Sequence, residues 1–487
     1  MIRNFTWLLY ITLLILSLSD VSAQQQNVEI SFERAVELMN DSKGIRIADL
    51  ELDWAESERQ RLNALWFPQI SAAGAYVYFG NKIEVKESLS TFTDPAKDFI
   101  HSIYPGEQII TGLLDKIGQN SFSVPLLPQN VTTVDAVAML PVFAGGKRIY
   151  AGRIGKSMVS AARINRQKVS ADQQVLLVVS YFGVRLGRKI VEVQKETYNA
   201  MERHLQNALK LEAAGMLTKT ERLLFQVGRD EAKRELEAAV KELYVAQNTL
   251  KTLVQMETDG DIIPVSAMFI QEALPDVGYF KSLIEENNYI IQGLEILQNI
   301  QKNQIKIANS AYLPEIAAFG KQTIWSNGIP KNLVPRSVLG FAMTWNIFDG
   351  MAREKHIMQA KIDSRTTEIE RAKTVDDLNV AVDKFYSQTQ IALDNVVALR
   401  TAVELNSEIV RARQQAFLEG MATSTEVIDA QLLLSKVKIA VLMAYYQFDT
   451  GLINLLAVCG ITDSFPDYIK NGKDESFALN SGNSTEQ

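Results

Sequence analysis

The side chains that could do chemistry in this chain are few and scattered. The three histidines, His101, His204 and His356, lie far apart and in no metal-ligand spacing. Gly155-Lys156-Ser157 looks like the end of a phosphate-binding loop, but the glycine needed five residues earlier is Tyr150. Cys459 is the only cysteine, so neither a disulfide framework nor a thiolate metal cluster can form within the chain. A net charge of −7 argues against nucleic acid, which needs basic stripes to neutralise phosphates. No catalytic, cofactor-binding or metal site emerges. The acids that stand out follow a repeated turn motif: Glu221 after one copy, Glu426 and Asp429 after the other. Glu426 and Asp429 are three apart and share one face of a helix.

These residues are positioned by a duplication. Residues 143–146 read FAGG and 348–351 read FDGM; 215–221 read GMLTKTE and 420–426 read GMATSTE. Both pairs of landmarks are 205 positions apart. Upstream, LWFPQISA around Pro68 resembles AYLPEIAA around Pro314, at an offset of 246. A unit this long, present twice, argues for one pseudo-symmetric body rather than a solenoid.

Arg3, the apolar run Trp7–Leu18 and Val21-Ser22-Ala23 together predict a signal peptide over residues 1–23, cleaved after Ala23. The run is short of the ~20 residues that span a bilayer. Beyond it no stretch approaches 18 consecutive apolar residues, so a membrane-spanning part would have to be made of strands.

From about Gly146 to Ala214 there is no proline, and apolar residues recur at steps of three and four through Val179, Phe182, Leu186, Ile190 and Val193. The second copy repeats this from about Ala352 to Glu419. After each turn motif a second helix resumes; its seam in the second copy, Val427, Ala430, Leu434, Val437 and Val441, steps at the coiled-coil period. Each long helix would extend ~100 Å. Gly215 and Gly420 mark the turns of two helical hairpins. Thr218 or Thr220, and Thr423 or Thr425, are the candidate N-caps of the returning helices.

Residues 338–347 alternate strictly. Leu339, Phe341, Met343, Trp345 and Ile347 fall on one face; Val338, Gly340, Ala342, Thr344 and Asn346 fall on the other. Apolar residues outward and small or polar residues inward are the signature of a transmembrane barrel strand. The equivalent residues of the first copy, Val134, Ala136, Ala138, Leu140 and Val142, repeat the pattern, with Thr133 and Asp135 facing the other way. Four strands are predicted, at about 69–79, 132–143, 315–325 and 337–348. Tyr76, Tyr78, Phe79, Trp325 and Trp345 suit membrane interfaces. Four strands leave two open edges, which hydrocarbon does not tolerate, so closure requires further copies of the chain.

The duplicated helix–strand–strand–helix plan resembles that of the TolC-type outer-membrane efflux and secretion channels. The resemblance is carried by Phe67-Pro68 and Leu313-Pro314 opening each strand pair, FAGG and FDG closing it, the GMxTxTE turns, and the opening SFERAVELMNDSKGIRIADLELDWAESERQRLNA. It implies a mainly α fold with a small β part. The long hairpins would form a trimeric α-barrel, with four transmembrane strands per chain contributing to a shared 12-stranded β-barrel. It implies a homotrimer in the Gram-negative outer membrane, in contact with its lipid and extending into the periplasm. The trimer would be a passive duct served by a periplasmic adaptor and an inner-membrane pump, with no enzyme activity and no cofactor.

By the same resemblance the hairpin tips, Gly215, Met216, Leu217 and Thr218 with Gly420, Met421, Ala422 and Thr423, would contact the adaptor. Glu426 and Asp429, with Glu221 from the first copy, would line the pore constriction. The expected organisation is a first repeat over 24–255 with an insert loop at 81–131, an equatorial linker at 256–277, a second repeat over 278–460, and a flexible tail at 461–487. The insert carries Pro105-Gly106 and the amphipathic GLLDKIGQN, and would lie at the outer face. The alternative is an exported periplasmic coiled-coil scaffold or adhesin whose alternating segments are soluble strands.

Overall fold

The structure, a computed structural model, describes residues 27–81, 83–103, 105–106, 108–258, 260–329 and 334–479. The expected signal peptide lies outside the described residues. In chain order the elements are β1 (Val28–Ile30), α1 (Phe32–Met39), α2 (Lys43–Asn63), β2 (Gln69–Tyr78), β3 (Ile83–Ser88), α3 (Ser90–Ile103), α4 (Ile109–Gly118), β4 (Ser121–Leu127), β5 (Asn130–Ala144), α5 (Lys147–Ala213) and α6 (Lys219–Leu253). They continue with β6 (Ile262–Pro264), β7 (Phe269–Ile270), α7 (Val277–Asn287), α8 (Tyr289–Ser310), β8 (Glu315–Asn327), β9 (Ser337–Thr344), α9 (Ala352–Leu418), α10 (Ser424–Cys459), α11 (Phe465–Asn471), β10 (Lys473–Asp474) and α12 (Ser476–Leu479). The duplication is literal in the long helices: α5 and α9 are each 67 residues.

Two compact units cut across the two repeats. One is Ser57–Lys156 with Ile300–Asp363; the other is Met1–Glu56, Ser157–Asn299 and Ser364–Gln487. The first unit holds the strand pairs of both repeats in one antiparallel sheet of order β2-β5-β8-β9. The strands of the two repeats join where β5 pairs with β8, which leaves β2 and β9 as the edges. The 81–131 segment is no featureless loop. It is a hairpin of β3 and β4 that carries the helix pair α3 and α4.

The second unit holds the helical hairpins and the main core. Phe32 packs on Tyr181, Phe182 and Phe465 with ring centroids 5.5–5.8 Å apart, and Phe269 packs on Phe448 at 5.9 Å. This cluster binds the chain start and the 262–270 segment to the long helices. β1 pairs in parallel with β6, and β7 pairs with β10. The Tyr181 hydroxyl, fully buried, donates to the Ile30 carbonyl at 2.8 Å and accepts from the Ser266 N–H at 3.0 Å.

The expectation of a flexible tail from 461 fails for residues 461–479. Phe465 is buried in the aromatic cluster, Arg185 holds Glu475 through both Nε and Nη2, and Arg400 lies over the Phe477 ring at 4.2 Å. The segment reads as polar because most of its charged residues are exposed; the buried charge, Glu475, is paired with Arg185. Residues 480–487 of that expected tail lie outside the described residues.

Candidate channel-forming site

The sheet has two chemically distinct faces. Cross-strand partners share a face, so the register groups Leu339, Phe341 and Met343 with Gly320, Ala318 and Ile316, and through these with Ala138, Leu140 and Ile70. This face is apolar and unburied within the chain: Leu339 is 87% exposed, Phe341 77% and Ile70 76%. On the other face Asp135 bonds Lys321 at 2.9 Å and accepts from the Thr323 hydroxyl at 2.7 Å. Aromatic side chains stand at both ends. Tyr76, Tyr78 and Trp325 lie toward the Asn130 end. Trp345, whose indole donates to the Tyr312 carbonyl at 3.2 Å, lies toward the other. An apolar band between aromatic girdles is the lipid-facing pattern of an outer-membrane strand, and lengths of 8 to 15 residues bracket what a tilted strand needs. Among the described residues no helix is long and apolar enough to cross a membrane.

Where strand passes into helix, both repeats are fastened in the same way. Arg353 donates to the carbonyls of Ala311, Asn346 and Ile347 at 3.0–3.2 Å and lies 4.2 Å over the Tyr312 ring. Arg148, its counterpart in the first copy, donates to the carbonyls of Leu65 and Val142 at 3.4 and 2.8 Å and lies 4.2 Å over Trp66. One planar, five-donor guanidinium thus satisfies the carbonyls at the end of the incoming helical segment and those of the outgoing strand while stacking on a ring. The reading of the sequence missed both arginines. Their signal was the common offset of 205 just past FAGG and FDGM. The turn itself uses left-handed residues: Gly145 and Gly146 in one copy, Gly350 and, at φ 65°, Met351 in the other.

The two hairpin tips are also matched. Gly215 and Gly420 both take φ 73°, and each tip closes with the same two hydrogen bonds. Gly215 and Met216 N–H donate to the Glu212 and Leu211 carbonyls; Gly420 and Met421 donate to those of Phe417 and Ala416. A Cβ at either glycine would meet nothing within 4 Å, so the backbone angle rather than crowding requires glycine there. Met216 and Met421 are exposed at 75% and 71%. Of the candidate caps, the structure selects Thr218 and Thr423. The Thr218 hydroxyl accepts from the Glu221 N–H at 3.2 Å while the Glu221 carboxylate accepts from the Thr218 N–H at 3.0 Å. Thr423 and Glu426 repeat this at 3.3 and 2.8 Å. Glu221 and Glu426 are therefore capping-box glutamates. Asp429, one turn further on, is exposed.

Behind the tips, Met201, Leu205 and Ala208 of α5, Phe225 of α6 and Val427 of α10 form a small core that joins the two hairpins, with Phe417 edge-on to Phe225 at 5.4 Å. His204 stacks on Phe225 at 6.0 Å, and burial holds its pKa below the usual histidine value. Each tip carries one ion pair between its helices, Arg222–Glu212 at 3.1 Å and Arg413–Glu426 at 3.3 Å.

Hydrogen bonds to the Thr423 backbone, and then the nearby Arg413, lower the pKa of Glu426; the Thr218 hydroxyl and backbone lower that of Glu221. A lowered folded pKa gives stabilisation that is complete above the unfolded value and is lost as pH falls through the folded one. Protection of the Thr218 and Thr423 amides, taken relative to the intrinsic exchange rate at each pH, should therefore fall only below the ordinary glutamate pKa of 4.5. Glu426→Gln should remove the pH dependence at Thr423 while leaving Thr218 unchanged, since glutamine also completes a capping box. Loss of protection at Thr423 that is the same with and without Glu426→Gln would show that the carboxylate does not close this cap.

Residues 282–461 match the family model described as outer membrane efflux protein. No curated protein matches the chain by sequence. Solved structures match over nearly the whole length. The outer membrane protein VceC of Vibrio cholerae aligns at TM-score 0.67 and 13% identity, covering 88% of this chain and 96% of that one. The outer membrane channel CmeC of Campylobacter jejuni aligns at 0.68 and 12%, covering 91% and 90%. The open-state outer membrane channel MtrE of Neisseria gonorrhoeae aligns at 0.66 and 16%, covering 88% and 89%. Residues 282–461 of this chain are thus similar to the outer membrane efflux protein family, and the chain as a whole has the fold of these outer-membrane channels.

Proposed function

We propose that this protein is the outer-membrane duct of a tripartite efflux or type I secretion system, located in the Gram-negative outer membrane and extending into the periplasm. Three copies close the four-stranded sheets into a 12-stranded barrel and the helical hairpins into an α-barrel. The observation that carries this reading is the sheet itself. Among the described residues no further strand pairs with β2 or β9 at the edges, and the apolar face is exposed. In lipid both features require neighbours that supply strands. A soluble scaffold or adhesin would have to bury that face in its own interior.

The duct is passive, with partners supplying energy and choosing cargo. The tips, Gly215, Met216, Leu217 and Thr218 with Gly420, Met421, Ala422 and Thr423, are the contact for the periplasmic adaptor that joins the channel to its inner-membrane pump. Glu426 and Asp429 form carboxylate rings at the constriction, assisted by Glu221. Such rings attract cations and repel anions. The cap engages one oxygen of Glu426 without removing its charge.

In planar bilayers the protein should conduct with cation preference. Glu426→Gln combined with Asp429→Asn should move the potassium-to-chloride permeability ratio toward one, with the tip fold kept by the glutamine cap. An unchanged ratio would remove these acids from the constriction. Absence of any conductance would remove the duct.

A further inference from the structure

We propose that the insert between β2 and β5 packs against the same insert of two further copies of this chain, so that three helix pairs cap the rim of the barrel at the Tyr78–Asn130 end of the sheet. The inference rests on the three-copy duct proposed above.

The insert is held close to the sheet. Beyond the last β2–β5 pair, Tyr78 with Asn130, the Phe79 N–H donates to the Gln129 carbonyl at 2.7 Å and the Gln129 amide donates to the Gly80 carbonyl at 3.2 Å. The hairpin of β3 and β4 starts directly after this clasp. A threefold axis through the barrel therefore sets three inserts around one rim.

The helix pair has a built interior and an unused exterior. Lys97 bonds both Asp94 and Asp115 at 2.6 Å, which ties α3 to α4. A Cβ at Gly118 would lie 2.6 Å from the Thr93 Oγ1, so the helices touch there. Away from that seam, α3 exposes Phe92 at 69%, Phe99 at 66% and Ile103 at 51%, spaced seven and four apart. α4 exposes Leu113 at 58% and Ile117 at 41%, spaced four apart. These are stripes at helical spacing, not scattered residues, and such patches mark interaction sites.

A second copy is the occupant that fits. A cyclic trimer needs two different surfaces on each copy, one meeting the other on its neighbour. The insert offers one stripe on each of two helices. An anionic lipid surface is disfavoured, because helices that lie on one are rich in lysine and arginine. Here acids outnumber bases six to three between Ile83 and Leu127.

The test is disulfide formation in the full-length protein carrying Phe99→Cys and Leu113→Cys, in outer membranes under mild oxidation. The native Cys459 does not compete, being buried with its thiol pKa pushed up to about 12. The expected result is a ladder of covalent dimer and trimer on a denaturing gel. A heat-labile oligomer with only intrachain crosslinks would overturn the cap and leave the duct standing. Loss of the oligomer itself would overturn both. As a second measurement, Phe92→Ser, Phe99→Ser and Leu113→Ser together should raise single-channel conductance at least two-fold; unchanged conductance would count against the cap. Quenching of a fluorophore at position 99 by brominated lipid would place the helices in the bilayer and overturn the proposal.

Discussion

Phe341→Arg is expected to remove the assembled oligomer from the outer membrane, whereas Ala342→Arg, one residue along the same strand, should leave it in place. The two positions are adjacent and lie on opposite faces of the strand. Phe341 belongs to the apolar set with Leu339 and Met343, 77% exposed and in register with Ala318. Ala342 pairs with Ala317 on the face that carries Asp135 and Lys321. An arginine facing lipid near the bilayer midplane costs about 2–4 kcal/mol, and one facing the lumen costs little. Symmetry multiplies the first cost by the number of copies. Membrane fractionation followed by unheated gel electrophoresis reads the outcome. Equal loss from both substitutions, or from neither, would mean that the apolar face does not meet lipid.

The second large effect is expected from Arg353→Ala. It removes three bonds to carbonyls and a ring contact made by a side chain only 8% exposed. Hydrogen bonds to a charged group contribute about 1.5–3 kcal/mol each. Even with strong non-additivity, about 3 kcal/mol or more is expected. Arg353→Lys should recover little, because a point charge cannot serve three carbonyls and stack on Tyr312. Arg148→Ala should cost less, since Arg148 makes two such bonds and one of them is long at 3.4 Å. The dissociation temperature of the purified oligomer in detergent measures this. Matching losses at the two positions would refute the ranking.

Strand positions were legible because a two-residue period has one cause, the alternation of faces, and Leu339 to Ile347 display it without interruption. Hairpin turns were legible because glycine followed by a capping threonine is a local backbone demand. The pairing of β5 with β8 is a contact between repeats and left no pattern along the chain. Glu221 and Glu426 show a different difficulty. Their three-residue distance from Thr218 and Thr423 is a capping-box spacing, yet a carboxylate can close a cap and still carry charge, so one residue type supports two roles. Asp429 has no such local task, which leaves it the cleaner candidate for the constriction. Arg148 and Arg353 escaped notice because an arginine on a helix normally reads as solvated. Only the carbonyls they gather, at Leu65 and Val142 or at Ala311, Asn346 and Ile347, reveal the clasp, and these converge only after folding. The segment after Ile461 misled because its buried anchors, Phe465 and Glu475, are few among exposed polar residues.

The four-stranded sheet is complete only in company. The most direct measurement is the subunit count of the detergent-purified particle by native mass spectrometry, joined to crosslinking between cysteines placed on the two edges, β2 and β9. The expected particle holds three chains, with β2 of one copy crosslinked to β9 of the next. A monodisperse single chain, stable in water without detergent and with no crosslink between edges, would contradict this.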